Sequence, residues 1–262
     1  CLDSSNIRPE EWQMIAGEIF EHRKGYDGVV VSHGTDTMAY TASAVTFMLP
    51  DIDVPVVFTG SQLPLADMLS DGPDNLRTAF AMAAAGHPGV FLAFDRKVML
   101  GCRAVKVRAS GFSAFESVNA RYAAQVSNLG LVVDHEMLPR RNGAAELRTE
   151  ISKNVFLLKL TPGLNPAIFD MLGAMGYKGI VIEAFGLGGI VVVIPTPELG
   201  CGDVRHDLTF YHDEGIRHHG RRPGDAHFFH LRRGLFDGGV RKIVIIVVGD
   251  PLILQCRLFV FC

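Results

Sequence analysis

Stretches of 3.6-residue periodicity alternate with short, wholly apolar runs along the first ninety or so residues. Pro9-Glu-Glu-Trp-Gln-Met-Ile-Ala-Gly-Glu-Ile-Phe20 has a proline in its first turn and acids next. It sets Trp12, Ile15, Ala16 and Ile19 on one helical face, so it reads as an amphipathic helix. Val29-Val-Val31, within Gly28 to Ser32, reads as a buried parallel strand. Met38 to Met48 reads as a helix, Val56-Val-Phe-Thr59 as a strand, Asp74 to Ala85 as an alanine-rich helix, and Gly89-Val-Phe-Leu-Ala-Phe94 as a third strand. This order predicts an α/β fold: a parallel-sheet, three-layer N-terminal domain with helices on both faces of the sheet.

A boundary is expected between about 135 and 155, because Leu138-Pro-Arg-Arg-Asn-Gly-Ala-Ala-Glu-Leu147 is polar and rich in turn formers. The expected division is residues 1–137, a linker at 138–154, and a second, smaller α/β domain over 155–262. In that second part Val155 to Leu160 and Gly179 to Phe185 read as strands, and Ala167 to Met175 as a helix. Gly186-Leu-Gly-Gly189 lacks the GxGxxG spacing of a nucleotide loop and reads as a strand-to-helix turn. Val191-Val-Val-Ile194 gives one more strand, after which 195–262 becomes irregular and dense in Arg and His.

A chain of 262 residues with 48% apolar content can bury a sizeable core. The net charge of −3 gives no electrostatic reason for a nucleic acid or an anionic membrane as partner. Five cysteines, odd in number and never spaced as CxxC, favour reduced thiols and a cytoplasmic setting. The opening residues lack a signal-peptide pattern, and the apolar run Ile243 to Val248 is too short to span a membrane. Six of the ten histidines fall between His206 and His230, with His227-Phe-Phe-His230 at helical spacing. No Cys or Glu completes an HExxH or CxxC pattern there, and the interleaved arginines repel a cation, so no metal is expected.

The chemistry concentrates after the first strand. Ser32-His-Gly-Thr-Asp-Thr-Met38 sets two hydroxyls and a carboxylate where a helix should begin, and Gly34 reads as the residue that lets the backbone turn sharply. The oxygens of Thr35, Asp36 and Thr37 would then lie beside unpaired backbone N–H groups, a setting that suits a substrate carboxylate. On these residues alone, helix capping by Thr35 or Thr37 and a first-turn role for Asp36 stay open. By spacing alone Lys106, between Arg103 and Arg108, reads as a solvated strand-edge charge. Ser4 and Ser5 read as turn residues, His33 as a packing residue and Gln62 as a loop residue near the site.

His33-Gly-Thr-Asp-Thr-Met38 resembles the second signature of the L-asparaginase family, and its neighbours resemble the same family in the same order. Asp3-Ser-Ser-Asn6 is similar to the family's substrate-binding turn, and Thr59-Gly-Ser-Gln-Leu-Pro64 to its third strand and loop. Ser70-Asp-Gly-Pro-Asp-Asn-Leu76 is similar to the turn and helix start that follow, and Lys106 falls where the family keeps its active-site lysine.

The resemblance, which is to the bacterial type I, cytoplasmic-like members, implies an amidohydrolase that converts L-asparagine and water to L-aspartate and ammonia with no cofactor. It implies Thr35, Asp36 and Lys106 as catalytic residues. Thr35 would assist proton movement or the attack of an activated water, and Lys106 would act as base if its environment lowers its pKa. Asp36 would hold the lysine or bind the substrate ammonium. Ser4 and Ser5 are expected to bind substrate together with Thr35 and Asp36, Ser4 holding the carboxylate. A homo-oligomer, dimer or tetramer, is implied as well. The family's nucleophile is the first threonine of a Thr-Gly-Gly-Thr-Ile turn, and nothing in a chain that begins at Cys1 matches it. The expectation is therefore a chain without its first strand, inactive or nearly so by itself. A glutaminase-asparaginase, an amidotransferase amidase subunit and a non-catalytic amino-acid-binding module stand as alternatives.

Overall fold

Three apolar runs, β1 (Val29–Ser32), β2 (Pro55–Thr59) and β3 (Gly89–Phe94), lie side by side and parallel, with Val30 opposite Val57 and Val57 opposite Phe91. Every residue of β2 and β3 is buried, as parallel strands covered on both faces require. Alternate residues serve opposite faces. Val56, Phe58, Val90, Leu92 and Phe94 join one core with helices α1 (Pro9–His22) and α2 (Met38–Met48). Val57, Phe91 and Ala93 join a second core with Ala79, Met82 and Ala83 of α3 (Gly72–Ala84). Within α1, Ala16 and Ile19 are buried and Trp12 and Ile15 pack beside them, while Trp12 Nε1 donates to Thr41 Oγ1 at 3.0 Å.

The computed structural model describes residues 3–118, 121–183, 227–230, 244–250 and 253–261. The chain divides into two compact units, Cys1–Ile151 and Ser152–Cys262. The sheet of the first unit is α/β but not parallel throughout. It continues through β4 (Lys97–Leu100), β7 (Ala124–Ser127) and β8 (Gly130–Val133), each antiparallel to its neighbour. A separate antiparallel pair joins β5 (Ala104–Lys106) to β6 (Phe115–Ser117). The reversal from β3 to β4 uses only Asp95 and Arg96, both in the left-handed region with φ of 49° and 60°. Such a two-residue turn favours Asn-Gly or Asp-Gly, and here no glycine announces it. Asp95 is held by the side chain of Asn75, which accepts from its N–H at 2.9 Å, and by Ser113 Oγ, which donates to its carboxylate.

Within the stretch read as a linker, Glu146 N donates to Pro50 O and Arg148 N to Met48 O, and Gln13 Nε2 donates to Thr149 O. These bonds lay the polar segment along the first unit.

The second unit carries a five-stranded sheet in the order β11 (His227–His230), β12 (Val244–Asp250), β13 (Ile253–Phe261), β10 (Gly179–Glu183), β9 (Val155–Lys159). β9 and β10 are parallel and flank helix α4 (Ala167–Ala174) in sequence, and the other pairs are antiparallel. His227-Phe-Phe-His230, whose spacing suggested a helix, is a strand. The strand read at 191–194, the glycine turn at 186–189 and most of the Arg/His-rich stretch lie outside the described residues. Among the described residues no helix is long and apolar enough to cross a membrane, and no cluster of three or more His, Cys, Asp or Glu could hold a metal ion.

Candidate active site

Five residues, 33–37, link the end of β1 to the start of α2. His33 N continues the strand by donating to Thr59 O at 2.8 Å. Directly below, a Cβ on Gly60 would meet His33 O at 2.2 Å, so glycine alone allows this backbone crossing. Gly34 is also required, for a different reason from the one its sequence suggested. Its φ is not positive, and no sharp left-handed turn occurs there. A Cβ at Gly34 would meet Ser4 Oγ at 2.6 Å and Ser4 Cβ at 2.7 Å, so the glycine makes room for the turn at 3–6.

That turn is built from its own side chains. Asp3 Oδ1 accepts from Ser5 N at 2.9 Å and from Ser5 Oγ at 2.6 Å, and these bonds hold the Asp3 carboxyl below its usual pKa range. Ser4 is buried against Gly34, and its carbonyl accepts from Thr37 Oγ1 at 2.6 Å. Ser5 faces Asp3 in an exposed position. Thr37 occupies the N-cap position of α2 but makes no side-chain cap bond, and no acid lies in the helix's first turn. Capping by Thr37 and a first-turn role for Asp36 both give way to longer-range contacts.

The contacts of Thr35 and Asp36 converge on Lys106, the last residue of β5. Its Nζ donates to Thr35 Oγ1 at 2.9 Å and to Asp36 Oδ1 at 2.8 Å. The lysine side chain is only 16% exposed, which removes the solvated strand-edge reading, whereas Asp36 is 63% exposed. Thr35 Oγ1 also donates to Gln62 Oε1 at 3.0 Å, and Gln62 Nε2 donates to Ala109 O at 3.1 Å and Gly111 O at 3.0 Å. The structure thus brings Thr35, Asp36 and Lys106 into mutual contact and sets Ser4 against the same loop, on the backbone of Gly34. A half-buried hydroxyl between an amine and an amide can pass a proton, and the exposed carboxylate can take a ligand's ammonium.

A second network supports the loops that carry these groups. Asp71 accepts from Gln62 N at 2.9 Å and Leu63 N at 3.1 Å. Asn75, 1% exposed, donates to Gly60 O and to Asp71 Oδ2, both at 2.9 Å. Asp71 and Asn75 are spaced i, i+4 at the start of α3, the one sequence signal that could have paired them. His33 lies edge-on to Phe58, with its Nδ1 2.7 Å from Gly34 O. Burial pushes its pKa below the usual histidine value, and its Nε2 is buried without a partner.

A family model described as asparaginase, N-terminal, matches residues 1–138, which contain every residue of this site. The chain belongs to the asparaginase family. It is 45% identical over 190 residues to an L-asparaginase of Thermococcus kodakarensis, covering 72% of this chain and 57% of that protein. The solved structure of the thermostable L-asparaginase from that organism superposes with a TM-score of 0.67 over 72% of this chain and 57% of its own. L-asparaginase 1 of Escherichia coli strain K12 is 36% identical over 189 residues, 71% of this chain and 56% of that protein. One subunit of the glutamyl-tRNA(Gln) amidotransferase of Metallosphaera sedula is 38% identical over 197 residues, 71% of this chain and 45% of that one. This asparaginase-family chain therefore spans little more than half the length of these two L-asparaginases.

Proposed function

We propose that the protein is an asparaginase-type amidohydrolase that converts L-asparagine and water to L-aspartate and ammonia. The observation that carries this reading is the lysine amine bonded at once to Thr35 Oγ1 and Asp36 Oδ1, on a family unit whose relatives include L-asparaginases. Amide hydrolysis needs a nucleophile on the side-chain amide carbon, which the reading leaves to the family's first threonine signature, a proton path to that nucleophile and a clamp for the amino-acid head group. Thr35 and Lys106 form the path, Asp36 takes the substrate ammonium, and Ser4 and Ser5 contribute the carboxylate side of the pocket. The reading includes no cofactor, a cytoplasmic setting and a homo-oligomer. The likeness to a glutamyl-tRNA(Gln) amidotransferase supports a second reading, in which the amide belongs to a glutamyl group.

Ammonia release by the full gene product from L-asparagine and from L-glutamine tests both. L-asparagine is expected to be the better substrate, and Lys106→Met is expected to lower the rate roughly 10²- to 10⁴-fold. Preference for L-glutamine moves the assignment to the second reading. No release from either amide, or an unchanged rate in Lys106→Met, rejects the proposal.

A further inference from the structure

The side-chain amide of Gln62 has its orientation fixed by what surrounds it. Its nitrogen lies 3.1 Å from Ala109 O and 3.0 Å from Gly111 O. Backbone carbonyls can only accept, so the NH₂ group must face them and the amide oxygen must face Thr35. A flipped amide would set its oxygen against two carbonyl oxygens. Since Gln62 Oε1 has no hydrogen to give, the 3.0 Å contact with Thr35 Oγ1 exists only if the threonine donates. A hydroxyl carries one hydrogen and two lone pairs. With its hydrogen committed to Gln62, Thr35 offers Lys106 an oxygen lone pair, and Lys106 Nζ is the donor across their 2.9 Å contact.

We propose that Gln62 is a positioning residue that holds the Thr35 hydroxyl proton turned away from Lys106. For Thr35 to give its proton to the lysine or to a bound ligand, the hydroxyl must rotate and leave Gln62 Oε1. Gln62 thereby sets the starting point of the proton path. Its position is held in turn by Asp71, which accepts from the Gln62 N–H at 2.9 Å. Its amide also ties the segment after Lys106, at Ala109 and Gly111, to the loop after β2.

Neutron diffraction from deuterium-exchanged crystals of the full gene product reads the geometry directly. The expected result is a deuteron on Thr35 Oγ1 directed at Gln62 Oε1, with the two amide deuterons directed at Ala109 O and Gly111 O. A Thr35 deuteron directed at Lys106 Nζ, or a flipped amide, overturns the proposal. The kinetic consequence rests on the amidohydrolase reading above. Gln62→Met, which removes the acceptor, is expected to lower kcat roughly 10- to 100-fold while KM stays within about threefold. Gln62→Glu keeps the acceptor oxygen. Its kcat relative to the wild type is expected to rise as pH falls and the protonated acid regains a donor toward Ala109 or Gly111. Equal losses in both variants, in kcat and KM alike and at every pH, would mean a merely structural role. A wild-type protein that releases no ammonia, with the deuteron still on the line to Gln62, rejects the amidohydrolase reading and leaves the positioning geometry standing.

Discussion

The cluster around Lys106 and the cluster around Asn75 adjoin through Gln62 and Asp71, and they use the same kinds of hydrogen bond to opposite ends. Around Asn75 the polar groups are closed on one another: its NH₂ gives one bond to Gly60 O and one to Asp71, and its carbonyl accepts from Asp95 N. At 1% exposure Asn75 is closed off from a ligand. Around Lys106 the bonds are as short, but Asp36 is mostly exposed and the hydroxyl of Thr35 keeps a spare lone pair. A buried network that is fully satisfied holds loops in place, whereas one that ends at an exposed carboxylate can exchange partners.

The comparison breaks if Asn75 can be lost without cost. Asn75→Leu keeps the approximate volume but leaves Gly60 O and Asp95 N without the Asn75 amide and Asp71 Oδ2 with only the Gln62 N–H at 3.1 Å, and is expected to destabilise the chain by about 2–4 kcal/mol in urea unfolding. A change below about 0.5 kcal/mol would show that the closed network contributes no stability. A smaller effect sharpens the contrast between two hydroxyls only two residues apart. Thr37 spends its proton on Ser4 O, so Thr37→Val is expected to cost about 1 kcal/mol and to raise amide hydrogen exchange across residues 3–7. Unchanged exchange in that turn would show that the Thr37 bond does not hold it.

Legibility in the sequence followed burial. β2 and β3 are buried on both faces and are therefore continuous apolar runs, and α2 matched its expected bounds at Met38 and Met48 because a mostly apolar, breaker-free stretch ends at Leu49-Pro50. The antiparallel half was not legible. β4 to β8 are three or four residues long, too short for a period to declare itself, and the Asp95-Arg96 turn carries no glycine. Of the site, the tripeptide Thr35-Asp36-Thr37 stood out because hydroxyls and an acid follow an apolar strand. Lys106 by contrast lies on a short edge strand among arginines, and only the resemblance to a family singled it out. Gln62 stayed a loop residue near the site because a glutamine in a loop has no pattern of its own. Its significance is a matter of which carbonyls its amide nitrogen faces.

Thr35 and Lys106 are proposed to act as one unit, and the decisive measurement is a double-mutant cycle on ammonia release by the full gene product. Thr35→Val and Lys106→Met are each expected to lower kcat/KM by orders of magnitude. The double variant should be little worse than the poorer single one, because the second change removes a group whose partner is already gone. Losses that multiply, so that the double variant falls by the product of the two single effects, would show that the threonine and the lysine act independently and would contradict the claim.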